Sequence, residues 1–282
     1  MSYQDITVVI TTFRSQNKII SCLESINPDV KTIIIENSNS SEFKEKIEKN
    51  YKNVRCFLAG ENLGYAKGNN FGLTKVKTMY ALILNPDAVL DTSAISNFLK
   101  SAQKYTDFSI IGPHIQKEEL NTKERKVSNF HLTETKSVKG FAMFLNLKQF
   151  ESIGFFDEKI FIYLEEIDLC RRLKKLNKKI YLDPSIHIFH RGGSSHDEEI
   201  NYEMELSRNW HWMWSSFYFS KKHYGYFYAF IKFLPKVFSS LFKVFFYTLT
   251  LNKLKRSIYA KRFSGLINSI MGKKSWYRPK IT

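Results

Sequence analysis

Long apolar segments are missing from the sequence, because no stretch supplies about 20 uninterrupted apolar residues, the length with which a helix spans a bilayer. We therefore expect no membrane-spanning helix. Cysteines are few, and Cys22, Cys56 and Cys170 are odd in number and widely spaced. This pattern fits neither a disulfide framework nor a metal-ligand cluster and indicates a reducing compartment. The opening segment MSYQDITVVITTF lacks the basic region of a signal peptide and predicts a first strand, so we expect a cytoplasmic location.

Acidic residues are missing from the last quarter of the chain. Of the 43 Lys and Arg residues, 15 lie from Leu206 onward, where there is no Asp or Glu. The first 205 residues are therefore nearly neutral, although the formal net charge of the whole chain is +16. A hydrophobic share of 43% is ordinary for a folded protein, so the sequence predicts a globular domain with a basic tail.

Apolar runs rich in Val and Ile alternate with segments of helical period in the first half of the chain. We predict strands at 6–11, 31–36, 54–59, 80–85 and 108–112, and helices at 17–26, 41–50, 65–77 and 91–104. An apolar run at 138–146, a helix at 164–176 and a strand at 179–183 follow. Continuous apolar strands are typical of a parallel sheet covered on both faces. The predicted fold is α/β, with a Rossmann-like mixed, mostly parallel sheet flanked by helices over residues 1–220 and a helical region over 221–282.

Polar residues follow several of these strands, at the edge of the sheet where ligands of open parallel sheets bind. Glu36 and Asn37 end the second strand, and Asp87 follows the fourth. Pro86 has a fixed φ and biases Asn85 toward an extended conformation, so Asp87 is held stiffly. A single carboxylate here can bind a Mg²⁺ ion that substrate phosphates complete. An ordinary turn or a helix cap is the alternative.

The segment FDEKIFIYLEEIDLCRRL carries five carboxylates, and the last three lie close together. Glu165 and Asp168 lie one helical turn apart, and Glu166 points about 100° away from Glu165. In a pocket, burial and neighbouring negative charge raise the pKa of a carboxyl group, which suits it to act as a general base. The alternative is an acidic first turn that faces the helix dipole.

The segment HIFHRGGSSH contains three histidines, of which His187 and His190 come first. His187 and His190 would face opposite sides of a strand, so no shared metal is implied. The Gly-Ser turn at 192–195 could bring backbone N–H groups to a phosphate, and His190 could bind a metal or a diphosphate oxygen. A histidine that is merely hydrogen-bonded is the alternative.

Taken in order, seven motifs resemble the family 2 glycosyltransferases of the GT-A fold, over roughly residues 6–225. The motifs are VVITTF, IIIENS, ENLGYAKGNNFGL, LILNPDAVL, VKGFAMFL, GFFDEKIFIYLEEIDLCRRL and HIFHRGGSS. Within the family, the chain looks most like the bacterial rhamnosyltransferase-like enzymes of O-antigen and cell-wall glycan synthesis. The resemblance implies an inverting transfer from a nucleotide-diphosphate-sugar, with dTDP-rhamnose as the expected donor, and a divalent metal, Mg²⁺ or Mn²⁺. It also implies a glycan or polyprenyl-diphosphate-linked acceptor.

The resemblance also implies site residues. The donor-binding positions are Thr11, Glu36, Asn37, Asn62, Gly64, Lys67, Asn85 and Asp87. The metal ligands are Asp87 and His190. Glu166 falls on the position of the catalytic base, with Glu165 or Asp168 as a substitute, and Gly140 and Asp168 lie on the acceptor side.

Three residues depart from the family pattern. Asn85 replaces the first aspartate of the DxD-like motif, so the metal has one protein carboxylate. Glu36 stands where aspartate is usual near the nucleoside. Glu166 replaces the usual aspartate base, so its longer side chain must reach from a backbone set further back.

The basic tail contains an aromatic helix in which Lys232, Lys236 and Lys243 form one narrow stripe, with a kink expected at Pro235. This pattern is typical of a helix that lies in a membrane interface, and the basic residues would attract anionic lipids. We expect peripheral attachment to the inner face of the cytoplasmic membrane. Packing on the catalytic domain, or on another subunit of a homo-oligomer, is the alternative. Nucleic acid is not an expected partner, because no binding module is recognisable and the stripe is narrow.

Two other function classes stay open. A nucleotidyltransferase should carry a Gly-rich triphosphate loop after its first strand, but the segment TTFRSQNK contains no glycine. A non-catalytic protein that binds sugar nucleotides or glycans is compatible with the departures at Asn85 and Glu166.

Overall fold

The computed structural model describes residues 1–113, 131–190 and 196–279. Outside these ranges lie the predicted phosphate-binding turn at 192–195 and the segment KEELNTKERK at 117–126, whose charge predicts a solvated loop. Within the described ranges, no helix combines the length and the apolar character that crossing a bilayer requires.

The predicted strands and helices occur in the predicted order, together with three strands of two or three residues that were not predicted. The described strands are β1 (Ile6–Thr12), β2 (Lys31–Glu36), β3 (Val54–Leu58), β4 (Tyr80–Leu84), β5 (Ala88–Leu90), β6 (Phe108–Pro113), β7 (Thr133–Glu134), β8 (Ala142–Asn146), β9 (Lys179–Asp183) and β10 (Ile188–His190). The described helices are α1 (Ile19–Glu24), α2 (Ser41–Asn50), α3 (Gly64–Leu73), α4 (Ala94–Lys104), α5 (Glu165–Lys175), α6 (Asn201–Tyr224), α7 (Tyr226–Leu249) and α8 (Lys253–Ile270).

Helix boundaries differ from the prediction where side chains compete for backbone groups. Helix α4 begins at Ala94 rather than at 91, because the Asp91 carboxylate accepts hydrogen bonds from the Ser93 N–H (3.0 Å) and hydroxyl (2.7 Å). This local turn satisfies groups that a longer helix would use. Helix α3 ends at Leu73, four residues early, and the next residue, Thr74, donates its hydroxyl to the Phe71 carbonyl (2.7 Å).

Among the described residues, the main sheet has the strand order β3-β2-β1-β4-β8-β6-β9-β7. Strands β1 to β4 are parallel neighbours, in register at Val9↔Ile33 and Val9↔Ile83. Strand β8 is antiparallel to both β4 and β6, so the sheet is mixed. All five residues of β4 are buried, which explains why that strand has no polar alternation. The predicted α/β class with a mixed, mostly parallel sheet is confirmed.

The chain divides into two compact units. The sheet unit comprises Met1–Asn62, Gly68–Phe156 and Leu169–Asp197. The helical unit comprises Leu63–Lys67, Asp157–Asp168 and the chain from Glu198 on, with α6, α7 and α8. The predicted helical C-terminal region is confirmed. The predicted domain boundary after residue 220 falls in the last turn of α6 and stays a prediction.

Three long helices pack together in the helical unit. Met213 and Phe217 of α6 contact Ala229 and Phe233 of α7 and Leu266 of α8 in one apolar cluster. Helix α8 also approaches α6 closely, because any side chain at Gly265 would collide with the Trp210 carbonyl oxygen. Helix α6 therefore has its apolar side covered by both later helices.

Candidate active site

Asp87 lies in a short turn between the buried strand β4 and β5. The Asn85 N–H donates to the Phe141 carbonyl (2.8 Å), and the Ala88 N–H donates back to the Asn85 carbonyl (3.1 Å). Pro86 is inside this turn and fixes its own φ. The Asp87 side chain is consequently held at the end of the strand and is only 4% exposed.

His190 faces Asp87 because β10 pairs antiparallel with β5, in register at His190↔Ala88. The His190 Nε2 atom lies 3.3 Å from Asp87 Oδ1 and 3.4 Å from Asn85 Nδ2. Its ring stacks on Phe141 with centroids 4.4 Å apart. The pairing of two separate chain segments therefore brings the predicted metal ligands together. The stacking contact with Phe141 fixes the plane of the imidazole ring.

The Asp87 carboxylate also affects the pKa of a nearby thiol, that of Cys22. Burial, and then the negative charge of Asp87, raise the pKa of Cys22, so its thiol stays neutral. Its Sγ contacts the Asn85 carbonyl at 3.6 Å. A neutral buried thiol packs as a small apolar group and supplies no metal-binding thiolate.

The donor atoms at this turn fit a divalent cation that keeps part of its hydration. Asn85 Oδ1 is buried and has no hydrogen-bond partner among the described residues, although buried oxygens ordinarily have one. Asp87 supplies a carboxylate oxygen and His190 an imidazole nitrogen. The described residues hold no group of three His, Cys, Asp or Glu side chains for a metal. A Mg²⁺ or Mn²⁺ ion here would need water and phosphate oxygens as further ligands.

The predicted nucleoside positions meet at the ends of β1 and β2. Thr11 Oγ1 is buried and without a hydrogen-bond partner among the described residues, and the Asn37 N–H donates to the Thr12 carbonyl (3.0 Å). A Cβ at Gly68 would lie 2.7 Å from Thr11 Cγ2 and 3.4 Å from Asn37 Nδ2. The absent side chain at Gly68 therefore allows α3 to approach these two residues.

Glu36 is buried and bonds to the loop that follows it. Its carboxylate accepts hydrogen bonds from the Ser38 N–H (3.0 Å), the Ser38 hydroxyl and the Ser40 N–H (2.7 Å). These bonds shape the loop between β2 and α2. Because a carboxylate has about four acceptor sites, this use leaves little capacity for a ribose hydroxyl. Its predicted donor contact stays a prediction.

The other predicted positions are divided between the two units. Asn62 is half-buried in the sheet unit, and Gly140, also half-buried there, precedes the Phe141 that stacks on His190. Gly64 and Lys67 belong to the helical unit, where Lys67 is exposed. Gly64 has a φ of +74° and leaves room for Phe161, so a side chain there would be both strained and in collision.

Helix α5 begins at Glu165 after two residues in a left-handed conformation. Tyr163 and Leu164 have φ values of 73° and 69°, which cost about 1–3 kcal/mol each for residues other than glycine. Surrounding bonds maintain them: the Tyr65 N–H donates to the Phe161 carbonyl, and the Ser215 hydroxyl to the Ile162 carbonyl, both at 2.8 Å. Such paired outliers are typical of functional turns.

The first carboxyl group on this turn, that of Glu165, is fully buried. Burial, and then the negative charge of Glu166, raise the pKa of Glu165 well above its ordinary value. Its Oε2 atom has no hydrogen-bond partner among the described residues. The shift favours the protonated, neutral form of Glu165, which is poorly suited to accept a proton.

The third carboxyl group, that of Asp168, is fully buried in an ion network. Its Oδ1 lies 2.7 Å from Lys222 Nζ and 2.8 Å from His223 Nε2, both on α6. Lys222 also bonds to Asp157 Oδ2 at 2.7 Å, and Tyr218 donates to the same oxygen at 2.8 Å. Burial opposes the charge of Asp157, but these hydrogen bonds outweigh it and lower the pKa of Asp157. The network fastens the start of α5 to α6, and the predicted acceptor role of Asp168 stays a prediction.

Sequence reasoning missed the α6 residues that hold this turn, although a signal was present. Tyr218 and Lys222 are four residues apart and so lie on one face of a helix. Lys222 is opposite in charge to the acidic segment that contains Asp157 and Asp168. That spacing indicates a helix face that can bond to a carboxylate of the acidic segment, but it does not indicate which carboxylate.

The family model described as glycosyl transferase family 2 matches residues 7–172. Because it covers more than half of the chain, the protein belongs to that family. The mixed α/β sheet with flanking helices is the GT-A fold, as the sequence resemblance predicted.

Curated relatives share parts of the chain at low identity. The low-salt glycan biosynthesis hexosyltransferase Agl10 of Haloferax volcanii is 26% identical over 62% of this chain and 64% of its own length. The rhamnosyltransferase WbbL of Escherichia coli is 23% identical over 65% of this chain and 82% of its own. The N-acetylglucosaminyl-diphospho-decaprenol L-rhamnosyltransferase of Mycobacterium tuberculosis is 21% identical over 57% of this chain and 66% of its own. The matches with the first and third thus span slightly less than two thirds of those relatives.

Solved structures share the fold. The mannosyltransferase PcManGT of Pyrobaculum calidifontis, in complex with GDP-Man and Mn²⁺, has a TM-score of 0.60 at 10% identity, covering 96% of this chain and 88% of its own. A TarS fragment of S. aureus in complex with UDP has a TM-score of 0.54 at 10% identity, covering 99% and 94%. At such identity the likeness concerns the fold alone.

Proposed function

We propose that the protein is an inverting glycosyltransferase that moves a sugar from a nucleotide-diphosphate-sugar to a glycan or lipid-linked saccharide, with Glu166 as the catalytic base. The observation that supports this most is the sorting of the three carboxyl groups at the start of α5. Glu165 is buried and neutral, and Asp168 is buried in an ion network, whereas Glu166 is only half-buried. Of the three, Glu166 is the carboxylate that an acceptor hydroxyl can approach.

In the proposed reaction, Glu166 takes the proton from the acceptor hydroxyl as the oxygen attacks the anomeric carbon. The bond from that carbon to the diphosphate breaks, and the configuration inverts in one displacement. Attack of this kind gains from a base positioned on the acceptor oxygen and from charge stabilisation at the leaving group. The neutral Glu165 adds no second negative charge beside the base.

Asp87, His190 and Asn85 are the residues that would hold the divalent metal, as Mg²⁺ or Mn²⁺. When bound, such an ion neutralises charge that develops on the departing diphosphate. Thr11 and Asn37 lie where the nucleoside is expected, and the buried Thr11 hydroxyl without a partner is suited to bond with it. Asn62, Gly64 and Lys67 are proposed to wall the nucleotide, and Gly140 to lie on the acceptor side.

The donor is proposed to be dTDP-rhamnose and the acceptor a polyprenyl-diphosphate-linked saccharide. Two of the curated relatives are named rhamnosyltransferases, and one name includes a diphospho-decaprenol acceptor. These names describe those proteins, and they support the same substrate classes for this chain.

Helix α7 supports a membrane surface as the place of reaction. It packs within the helical unit through Ala229, Phe233 and Ser240. The opposite face, about 120–220° around the helix from Ala229 at 100° per residue, is apolar and solvent-exposed. Its exposed members, hereafter the exposed apolar face, are Phe227, Ile231, Leu234, Phe238, Leu241, Phe242, Phe245 and Leu249.

The lysine stripe of α7 flanks the packed face rather than the exposed one. Lys232 and Lys236 lie over the ring of Phe233, and Lys243 donates to the Tyr259 hydroxyl on α8 (3.2 Å). The three lysines fall within about 60° of Ala229 around the helix. The stripe predicted from sequence is therefore present, but tertiary packing turns the aromatic side outward.

Charge complementarity supports anionic lipid as the proposed occupant of this face. No Asp or Glu occurs from Leu206 onward, and Lys253, Lys255 and Arg256 are exposed at the start of α8. Each basic residue near an anionic bilayer contributes about 1 kcal/mol, and the inserted aromatic side chains add apolar burial. We place the protein on the inner face of the cytoplasmic membrane, with self-association through the same face as the competing outcome.

The central test compares Glu166→Gln with Glu165→Gln, two substitutions of equal size on one turn. With nucleotide-sugar, Mn²⁺ and a lipid-linked acceptor, we expect Glu166→Gln to lower kcat at least about 100-fold, because the general base is removed. Glu165→Gln should keep most of the activity, since the buried acid is already uncharged. Transfer is followed by acceptor product and stereochemistry, and folding by circular dichroism.

Wild-type turnover by Glu166→Gln would refute the assignment of the base. Donor binding by the wild-type protein without transfer or donor hydrolysis would instead favour a non-catalytic sugar-nucleotide-binding protein.

A further inference from the structure

We propose that the C-terminal strap, residues 273–279, positions the turn that carries Glu166, and that Arg278 is a positioning residue for catalysis. The inference rests on the proposed role of Glu166. The strap comes more than 100 residues after that turn, yet both belong to the helical unit.

The strap is fastened to α6 along its length. Trp214 donates its indole N–H to the Lys273 carbonyl (3.0 Å), and the Tyr277 ring stacks on Trp210. Tyr277 is only 5% exposed. The Arg278 guanidinium donates to the carbonyls of Ser275 and Tyr277, both at 2.9 Å, which holds the strap in its bent form.

His211 on α6 connects the strap to the turn. Its Nε2 lies 2.9 Å from the Tyr277 carbonyl, and its Nδ1 lies 2.9 Å from the Ser275 hydroxyl. Because a carbonyl can only accept, Nε2 carries the proton and Nδ1 accepts from Ser275. Burial lowers the pKa of His211 to about 3, so the imidazole is neutral at every pH at which the protein would work.

Phe161, at the start of the turn, contacts both His211 and the strap. Its ring stacks on His211 with centroids 4.4 Å apart, and the Arg278 guanidinium carbon lies 3.9 Å from its ring centroid. From Phe161 the chain passes through the left-handed Tyr163 and Leu164 directly into α5. A strained segment keeps its form only where neighbours over-determine it, and Arg278 is one of those neighbours.

Arg278 is the informative site because it is exposed, so its removal opens no cavity in the apolar core. We expect Arg278→Ala to lower kcat about tenfold with an unchanged donor KM, since a small displacement of a reacting group is sufficient for such a loss. Arg278→Lys, which keeps a cation over the Phe161 ring, should have a kcat close to that of the wild type. Arg55→Ala is the matched control, since it also removes one exposed arginine and lies on β3, outside the helical unit.

A second readout does not depend on activity. Hydrogen–deuterium exchange of peptides that cover residues 161–166 should be faster in full-length Arg278→Ala than in the wild type or Arg55→Ala. Unchanged exchange at this turn would overturn the proposal, and so would faster exchange with wild-type kcat or an equal loss of kcat in Arg55→Ala. Failure of the proposed function would show differently, as absence of transfer by the wild-type protein while the exchange effect remains.

Discussion

At the scale of single residues, three carboxyl groups within four positions of one helix have three different chemical states. Glu165 is buried, Asp168 contacts the Lys222 ammonium and the His223 imidazole, and Glu166 is half-buried. The residue types and their spacing are nearly equivalent. Their difference arises from what each side chain meets, so the role of each group follows from contact rather than from composition.

The raised pKa of Glu165 makes a prediction about stability and pH. A carboxyl group whose pKa is raised in the folded state binds more protons in the folded than in the unfolded protein. Its contribution to the free energy of unfolding therefore falls as the pH rises above about 4.5, the pKa of the group in the unfolded chain. Each pKa unit corresponds to about 1.4 kcal/mol. We expect Glu165→Gln to stabilise the protein at pH 7–8 and to approach wild-type stability near pH 4, as measured by chemical denaturation.

Glu166→Gln is the matched control for this measurement. It should also raise the stability at pH 7–8, because the charge of Glu166 is the second cause of the raised pKa of Glu165. The gain in stability should be smaller than that of Glu165→Gln, which removes the buried carboxyl group itself. Equal pH profiles for Glu165→Gln and the wild type would show that Glu165 ionises normally in the folded protein.

The position of the proposed metal ligand Asp87 was accessible to sequence reasoning for a simple reason. Strand β4 is continuous and apolar, so its end, and with it Asp87, can be located from the pattern alone. The contact with His190 depends on the pairing of β5 with β10, two three-residue strands that carry almost no periodic signal. The pair was therefore inferred from the family resemblance, and the structure provides the strand pairing that joins its members.

At the scale of elements, α7 shows how packing decides what an amphipathic pattern means. Its aromatic side chains surround most of the helix, and the face with Ala229 and Ser240 is the one that approaches its neighbours. Small side chains permit close helix contact, so the large aromatic residues opposite are left exposed. The lysines, which appear from sequence to form the solvent face, are drawn beside the packed face by cation–π contacts.

The exposed apolar face of α7 predicts lipid binding that depends on apolar insertion. The double variant Phe238→Ser, Phe242→Ser should lose co-sedimentation with anionic vesicles, because each phenyl group contributes about 1.5–3 kcal/mol when buried. The triple variant Lys253→Ala, Lys255→Ala, Arg256→Ala should weaken binding to anionic vesicles, most clearly at low salt. Phe189→Ser removes an exposed phenyl group of the sheet unit and serves as the control, with unchanged vesicle binding.

Substitutions are preferred to truncation in this experiment. Removal of the chain after Gly225 would uncover Phe217 and Met213 of α6, which contact α7 and α8 in the apolar cluster. Equal vesicle binding by the double variant would contradict the proposed lipid face. A wild-type dimer that the same variant converts to a monomer, without vesicle binding, would identify a second copy of the chain as the occupant.

At the scale of the whole molecule, a bound donor should stabilise the fold by mass action. A ligand at 100 times its Kd stabilises a protein by about 2.7 kcal/mol, which a thermal-shift assay detects. We expect dTDP-rhamnose with Mn²⁺ to raise the melting temperature more than UDP-GlcNAc or GDP-mannose. Asp87→Asn should lose the part of the shift that requires the metal, because the site then has no carboxylate.

His187→Ala is the matched control for the metal, since it removes a histidine from the same segment that is not one of the expected ligands. A larger shift with another nucleotide-sugar would replace dTDP-rhamnose as the proposed donor. A metal-dependent shift that persists in Asp87→Asn would refute the assigned metal ligand.

Local pattern was sufficient for the α/β class, for the strands β1 to β4 and for the polar residues at their ends, because periodicity and buried runs depend on near neighbours in the chain. The state of each site residue was not predictable in this way. Asp168 meets His223, 55 residues further along, and Glu36 bonds to its own loop instead of an open site. Burial and charge partners depend on contacts distant in sequence, so tertiary structure decided which of the three carboxyl groups is only half-buried and which side of α7 is left exposed.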